Sequence, residues 1–300
     1  MDINESAVTR AYGEGAITTK EGVMKSLRKV LIASLSAAVL ATATAHAAST
    51  TDYSDQWWAR NESGWGAAVV QQASTMFVNL MVYGADGKPT WFVAASSLQA
   101  NSPTGHTVFL GDLYATTGPY YGGTFNPALV SERKVGTLTF DATSAGNATM
   151  SYTVDGTPVV KNVTRQTWGH ENLTGSYFGG WNSDKSGCIT APLNAPPVHY
   201  EEPLTITIDH AADNAVMMVL WFGDGSSIAL RGTYSQSGKM GRIVGEFDQS
   251  YSTWSYGSID MVEIETTISG FTARFSGDLI MAQWRDWCDM TNGRIGGVRR

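Results

Sequence analysis

The stretch Trp58-Ala-Arg-Asn-Glu-Ser63-Gly64-Trp65 recurs later in the chain as Trp181-Asn-Ser-Asp-Lys-Ser186-Gly187-Cys188. Both copies read Trp-x4-Ser-Gly followed by a bulky or sulfur-containing residue, and both precede a long series of short apolar segments. A motif that returns with the same kind of sequence after it indicates an internal duplication. We therefore interpret the chain as two tandem units with one fold.

Alternation of apolar and polar residues dominates both halves, and no long segment has the period of a helix. Residues 149–154, 204–209 and 262–268 alternate in this way, which predicts strands with one buried and one solvated face. Turn sequences such as Asp155-Gly156 follow them, because Asp and Gly tolerate the left-handed backbone of tight hairpins. The second strand of each unit, at 76–83 and 215–222, is apolar on both faces. Its outer face is expected to pack unit against unit or to form a ligand surface.

These signals predict about eight strands in each half. The first set lies near 56–60, 65–72, 76–84, 89–98, 106–115, 134–142, 147–154 and 159–168. The second set lies near 175–182, 187–191, 203–210, 214–222, 226–235, 240–248, 259–269 and 271–287, the last with a break near Gly277-Asp278. Short antiparallel strands in sequence favour a closed up-and-down β-barrel in each unit, because closure removes unpaired edges. A two-sheet sandwich is the alternative. Charges within the strands, such as Glu263 and Arg274, argue against a lipid-facing barrel.

The joint between the units is predicted near 169–172, which gives a first unit at 48–170 and a second at 171–300. The ends 165–168 and 284–287 align with each other. On this alignment we expect Trp58 and Trp181, and likewise Trp168 and Trp287, to close the two barrels as core residues.

Residues 24–47 have the composition of a secretory signal. Lys25, Arg28 and Lys29 form a positive n-region, residues 30–41 an apolar h-region, and Ala45-His46-Ala47 a cleavage site. An apolar run of about a dozen residues is shorter than the ~20 that span a bilayer. We expect 1–47 to be an upstream segment plus signal peptide. The mature chain is then exported to the periplasm or the medium and does not span the membrane.

Charge and cysteine content narrow the possible partners. Removing residues 1–47 leaves 15 Lys and Arg against 23 Asp and Glu, a net charge of −8, which argues against nucleic acid and anionic lipid as partners. The two cysteines, Cys188 and Cys288, are predicted to form a disulfide, as is usual for an exported pair. Buried free thiols are the alternative.

The sequence contains few motifs that indicate a catalytic reaction. His106, His170, His199 and His210 lack metal-ligand spacing, and neither a nucleophile elbow nor a phosphate-binding loop is present. We predict no catalytic residue, no metal and no cofactor. Scattered carboxylates leave a hydrolase as a less favoured alternative.

Aromatic residues concentrate in two predicted loops, at 118–127 and 251–257. Aromatic rings on loops provide apolar contact and stacking surfaces for ligands. The candidate ligand-binding residues are Tyr120, Tyr121, Phe125, Trp91, Trp254 and Tyr256. The alternative is that these rings fold down over the core.

The first unit resembles a module of uncharacterised secreted proteobacterial proteins. The shared motifs are Trp58-x4-Ser63-Gly64-Trp65-Gly66, 86–91, 118–127 and Thr164-Arg165-Gln166-x-Trp168, over about 110 residues of this chain. Residues 172–177 are similar to the opening strand of avidin-like barrels, so the resemblance implies barrels of the calycin or avidin-like type. Trp181 followed by Cys188 also resembles the start of secreted metalloprotease inhibitors. In those proteins the second cysteine follows soon after the first, whereas here it lies far downstream.

Together these observations predict an exported, non-catalytic binding protein that recognises a small molecule, a glycan or a polymer through aromatic loops. The alternative partner is an envelope protein, with this chain acting as an inhibitor of a protease or a lysozyme.

Overall fold

Two closed, eight-stranded antiparallel β-barrels follow one another along the chain. The computed structural model describes residues 51–100, 102, 105–189, 198–250, 255–281 and 286–300. These residues belong to one compact unit that spans Ala47–Arg300. The predicted fold class of two tandem up-and-down barrels is confirmed, and the sandwich alternative is wrong.

Each barrel is a simple meander in which consecutive strands pair. The first contains β1 (Asp55–Trp58), β2 (Gly66–Gln72), β3 (Thr75–Tyr83), β4 (Pro89–Leu98), β5 (Thr107–Thr117), β6 (Ser131–Ser144), β7 (Asn147–Val154) and β8 (Thr157–Arg165). A short 3₁₀ helix, Pro127–Leu129, lies between β5 and β6. Pairing of β1 with β8 closes the barrel.

The second barrel repeats this order. It contains β9 (Gly175–Ser186), β10 (Val198–His210), β11 (Ala215–Phe222), β12 (Ser227–Ser237), β13 (Met240–Ser250), β14 (Ser255–Thr267), β15 (Gly270–Met281) and β16 (Asp286–Arg299). Pairing of β9 with β16 closes it. The predicted joint falls in the connection 166–174 between β8 and β9.

Two strand predictions in the second half are wrong. Of the separate strand predicted at 187–191, residues 187–189 are not in a strand, since β9 runs unbroken to Ser186 and ends there; residues 190 and 191 lie outside the described residues. The segment predicted at 271–287 with a break near Gly277-Asp278 is two strands, but β15 continues through that position with only a register shift between Phe275 and Gly277. The second strand, β16, begins at Asp286 and extends to Arg299. The sequence hides β16 because Asn292 takes a positive φ of 54° at a bulge between Thr291 and Arg294, which interrupts the alternation.

Each barrel has its own hydrophobic core. In the first, Trp57, Phe109 and Phe140 are fully buried, with the ring centroids of Trp57 and Phe140 5.0 Å apart. In the second, Tyr177 contacts Phe271 at 5.0 Å. The two buried clusters share no residue.

One end of each barrel is closed by the same pair of interactions. Trp57 Nε1 donates to the Tyr53 carbonyl (2.9 Å), and the Arg165 guanidinium lies 5.0 Å above the Trp57 ring. In the second barrel the Tyr177 hydroxyl donates to the Leu173 carbonyl (2.6 Å). The guanidinium of Arg299, on the last strand, lies 5.5 Å above the centre of the Tyr177 ring.

This equivalence corrects the predicted alignment of the repeat. Trp57 on β1 corresponds to Tyr177 on β9, whereas the predicted alignment pairs Trp58 with Trp181. Trp168 and Trp287 are 77% and 49% exposed, so neither is a core residue. Trp58 lies on the opposite side of β1 from buried Trp57 and is half-buried. Trp284 lies outside the described residues.

Tight coiling of the strands depends on glycine. Gly232 and Gly245 face each other across β12 and β13. A Cβ added to Gly245 would lie 2.2 Å from the Arg231 carbonyl oxygen, so any larger residue would push the strands apart. Glycines at such bends allow a small barrel to close.

The turn between β12 and β13 contacts the closed end of the first barrel. The Lys239 backbone N–H donates to Asp55 Oδ2 (2.9 Å), and the Gly238 N–H donates to Thr167 Oγ1 (2.9 Å). The Lys239 ammonium binds the Asp52 carboxylate. Buried Arg165 pairs with Asp55 (3.1 Å) behind this contact.

Among the described residues, no helix is long and apolar enough to cross a membrane.

Candidate ligand-binding site

Three of the predicted binding residues lie together in the connection between β5 and β6. Tyr120, Tyr121 and Phe125 are 70%, 92% and 65% exposed, and the rings of the two tyrosines are 4.7 Å apart. The alternative that these rings fold down over the core is therefore wrong. They form an exposed aromatic loop.

The other predicted residues do not join this loop in one pocket. Trp91 is an exposed side chain on the outer face of β4, and Tyr256 is exposed on β14 of the second barrel. Trp254 lies outside the described residues.

A cavity of about 300 Å³ lies inside the second barrel, and sequence reasoning did not find it. Its wall is mainly apolar and comes from all eight strands. The apolar lining includes Trp181, Leu220, Phe222, Leu230, Phe247, Ile259, Met261, Phe275, Met290 and Ile295. A volume of this size is at the lower end of the range for small-molecule sites.

Strand length explains why this space exists. β1 ends one residue after Trp57, whereas β9 continues from Tyr177 to Ser186. The long strands carry the second barrel further from its closed end and add inward-facing layers. An eight-stranded barrel is wide enough to hold one small ligand when side chains do not fill it. In the first barrel the corresponding end receives Trp65, whose Nε1 donates to the Tyr152 hydroxyl (3.0 Å).

Three aromatic rings form one wall of the cavity. Trp181 stacks on Phe275, with centroids 5.8 Å apart and an interplanar angle of 15°, and meets Phe222 edge-on at 5.8 Å. The indole Nε1 of Trp181 is buried and has no hydrogen-bond partner among the described residues. Because an unpaired buried donor costs about 1–3 kcal/mol, an acceptor on a ligand would relieve this cost.

Polar side chains lie at the end of the cavity away from Tyr177. Lys185, Tyr200, Glu202 and Asp224 contribute to the lining there, and the Lys185 ammonium lies 5.7 Å from the centre of the Tyr200 ring. Hydrogen bonds from Ser226 lower the pKa of Asp224, so this carboxylate is ionised at neutral pH. The site is therefore an apolar chamber with a charged rim.

The predicted disulfide is confirmed and lies beside this chamber. Cys188, just after β9, is bonded to Cys288 on β16. Cys288 is opposite Leu279, which lines the cavity. The bond therefore fixes the end of β9 to the cavity wall.

Two histidines form pairs with carboxylates on the protein surface. His106 contacts Asp141 (2.8 Å), and His199 contacts Asp184 (2.7 Å). Hydrogen bonds from Asn292 and His199 lower the pKa of Asp184. Within the described ranges, no group of three or more His, Cys, Asp or Glu is placed to hold a metal ion.

No protein-family model, curated protein or solved structure matches the chain. The candidate site therefore stands on its geometry.

Proposed function

We propose that this protein is an exported, non-catalytic binding protein that holds one small, mainly apolar molecule inside its second barrel. The observation that carries the proposal is the cavity of about 300 Å³ with an aromatic wall. By volume it equals about ten water molecules, which suits a compact ring system or a short aliphatic chain. The ligand presents a hydrogen-bond acceptor to Trp181 and keeps any charged group at the rim.

Export is part of this proposal and is supported by two features. The residues at 24–47 have the pattern of a secretory signal, and a disulfide is typical of proteins outside the cytoplasm. The resemblance of the first unit to secreted proteobacterial proteins agrees with the same location.

The experiment is a titration of the full chain with 1-naphthol, a compact aromatic alcohol, and separately with 1-octanol. We expect saturable binding of at least one probe at one site. Leu220→Trp places a larger side chain in the cavity wall and is expected to abolish binding. Val219→Trp, on the outer face of the same strand, is the matched control and should bind as the unmodified protein does.

Provided that circular dichroism shows an intact fold, either of two results would overturn the proposal. One is the absence of saturable binding of both probes. The other is unchanged binding by Leu220→Trp, which would place the bound probe elsewhere.

A second candidate function is supported by the exposed aromatic loop between β5 and β6. Tyr120 and Tyr121 protrude as a pair, as expected of a loop that docks on an envelope protein such as a protease or a lysozyme. Replacing both with Ala should leave the fold intact and abolish inhibition of the enzyme tested, because both side chains are largely exposed and neither belongs to the buried core of the first barrel.

A further inference from the structure

The outward side chains of β2, β3 and β4 form one continuous surface on the first barrel, which we call the β2–β4 face. Strand register places Val70 beside Phe77, and Met81 beside Trp91. These four residues and Tyr83 are each roughly half-exposed in the presence of the second barrel. The apolar outer face of β3 therefore does not pack unit against unit.

This face carries no charge. None of the outward positions of these three strands is Asp, Glu, Lys or Arg, although the full chain has a net charge of −7. Charged residues begin at its border, where Asp112, opposite Ala95, pairs with Lys134 at 2.7 Å. An uncharged centre rich in aromatic residues and Met, with a charged rim, is the anatomy of a protein–protein interface.

The size of the face also fits an interface. Phe77, Tyr83 and Trp91 each expose about half of the ~200 Å² that an aromatic side chain can bury. With Val70 and Met81, the apolar surface is on the order of 500 Å², which is the size of the largest exposed patches on single protein chains, and such patches are often functional. A standard interface buries about 800 Å² on each partner.

We infer that this face binds the same face of a second copy of the chain, which makes the protein a homodimer. Two copies carry net charges of the same sign, so they associate most favourably where neither presents a charge. Within the face, β3 is paired with β2 on one side and with β4 on the other, so the contact is made by side chains of the two faces. A two-fold arrangement buries the same patch on both subunits.

The test is the mass of the full chain in solution, measured by analytical ultracentrifugation at increasing protein concentration. We expect the mass to rise from 32.2 kDa to about twice that value, as the two-fold interface requires. Val70→Lys introduces a positive charge on both faces of the contact and should weaken the dimer at least tenfold, since like charges that face each other are strongly unfavourable.

Val160→Lys is the matched control. Val160 is also an exposed valine, at 65% against 52% for Val70, and it lies on the outer face of β8 in the same barrel. This variant should dimerise as the unmodified chain does. If Val70→Lys alters the circular dichroism spectrum, Met81→Lys carries the test in its place.

Three results would overturn the inference. The first is a protein that stays monomeric at all concentrations, which would leave the β2–β4 face for another partner. The second is a dimer that neither Val70→Lys nor Met81→Lys weakens. The third is a dimer that Val160→Lys weakens equally. These outcomes are independent of probe binding in the second barrel, so they do not bear on the proposed function.

Discussion

Trp181 combines two properties in the cavity wall: a flat aromatic surface and an indole N–H without a partner among the described residues. Trp57, in the first barrel, has the same chemistry in a different setting. Its N–H donates to Tyr53, and its ring lies under Arg165. The N–H of Trp181 is therefore available to a ligand, whereas the N–H of Trp57 is already hydrogen-bonded within the barrel.

Trp181→Phe is expected to weaken 1-naphthol binding about 3- to 10-fold, because it removes a hydrogen bond worth ~0.5–1.5 kcal/mol and keeps an aromatic wall. Fluorescence titration measures this change. The control is Trp57→Phe, which breaks a satisfied buried interaction. It should lower the free energy of unfolding by about 1–3 kcal/mol and leave probe affinity unchanged. Equal affinity of Trp181→Phe and the unmodified protein would mean that the indole N–H does not contact the ligand.

Arg165 illustrates how a charged residue is kept inside a small barrel. Its side chain is fully buried, and burial lowers its pKa, but arginine remains protonated in proteins. The guanidinium donates to the Ala145 carbonyl (2.7 Å) and the Asp52 carbonyl (2.6 Å) and pairs with Asp55. A buried charge is tolerable when its donors are satisfied in this way.

At the scale of elements, the strands and turns of the first barrel are largely predictable from sequence. Apolar segments bounded by turn residues predict β2, β4 and β7 almost to the residue. The turn at Asp155-Gly156 has positive φ at both positions, 47° and 83°, as its sequence predicts. Local chemistry decides these features, so local sequence is sufficient.

The cavity is not predictable in the same way. It depends on how far β9 extends beyond Tyr177 and on which side chains then face inward. A shift in strand register exchanges inward and outward residues. The motif Trp-x4-Ser-Gly aligns Trp181 with Trp58, which lies on the outer side of β1, so the alignment gives no sign that Trp181 lines a cavity. Pairing with β10 and β16 over long sequence separations fixes the true register.

The turn between β12 and β13 is the element that couples the two barrels, and its strength should depend on pH. Burial raises the pKa of Asp52, but hydrogen bonds from Lys239 and Ser54 outweigh it, so the pKa lies below the ordinary 3.8. Burial lowers the pKa of Lys239, but Asp52 and Glu265 outweigh it, so this pKa lies above 10.5. The ionised Asp52 carboxylate therefore stabilises the folded protein above pH 3.8, and this stabilisation is lost as the pH falls below that value. The charged Lys239 ammonium stabilises the folded protein below pH 10.5, and this stabilisation is lost as the pH rises above that value.

Lys239→Met is therefore expected to lower the free energy of unfolding at pH 7 by no more than about 1 kcal/mol, because the ion pair is partly exposed to solvent. The difference from the unmodified protein should shrink as the pH falls below 3.8. Calorimetric unfolding between pH 7 and pH 2.5 measures both values. A difference that stays constant over this range would show that Asp52 does not interact with Lys239.

At the scale of the molecule, the two barrels divide their roles. The first is filled by its own aromatic core and presents the exposed aromatic loop and the uncharged β2–β4 face. The second has longer strands, an internal cavity and the disulfide. The two barrels thus differ at the end that faces away from Trp57 and Tyr177, while the closed ends have the same arrangement of an aromatic residue and an arginine.

The disulfide should stabilise only the barrel that contains it. Cys188 and Cys288 are separated by 100 residues, and a bond that closes a loop of that length contributes up to ~4–5 kcal/mol by restricting the unfolded chain. That loop lies entirely within the second barrel.

We expect reduction, or Cys188→Ser with Cys288→Ser, to increase hydrogen exchange in β9–β16 and to leave β1–β8 unchanged, because the two cores share no residue. Hydrogen exchange followed by mass spectrometry resolves the two barrels, and the unreduced protein is the control. Equal loss of protection in both barrels would show that they unfold as one cooperative unit through the contact of Lys239 with the first barrel.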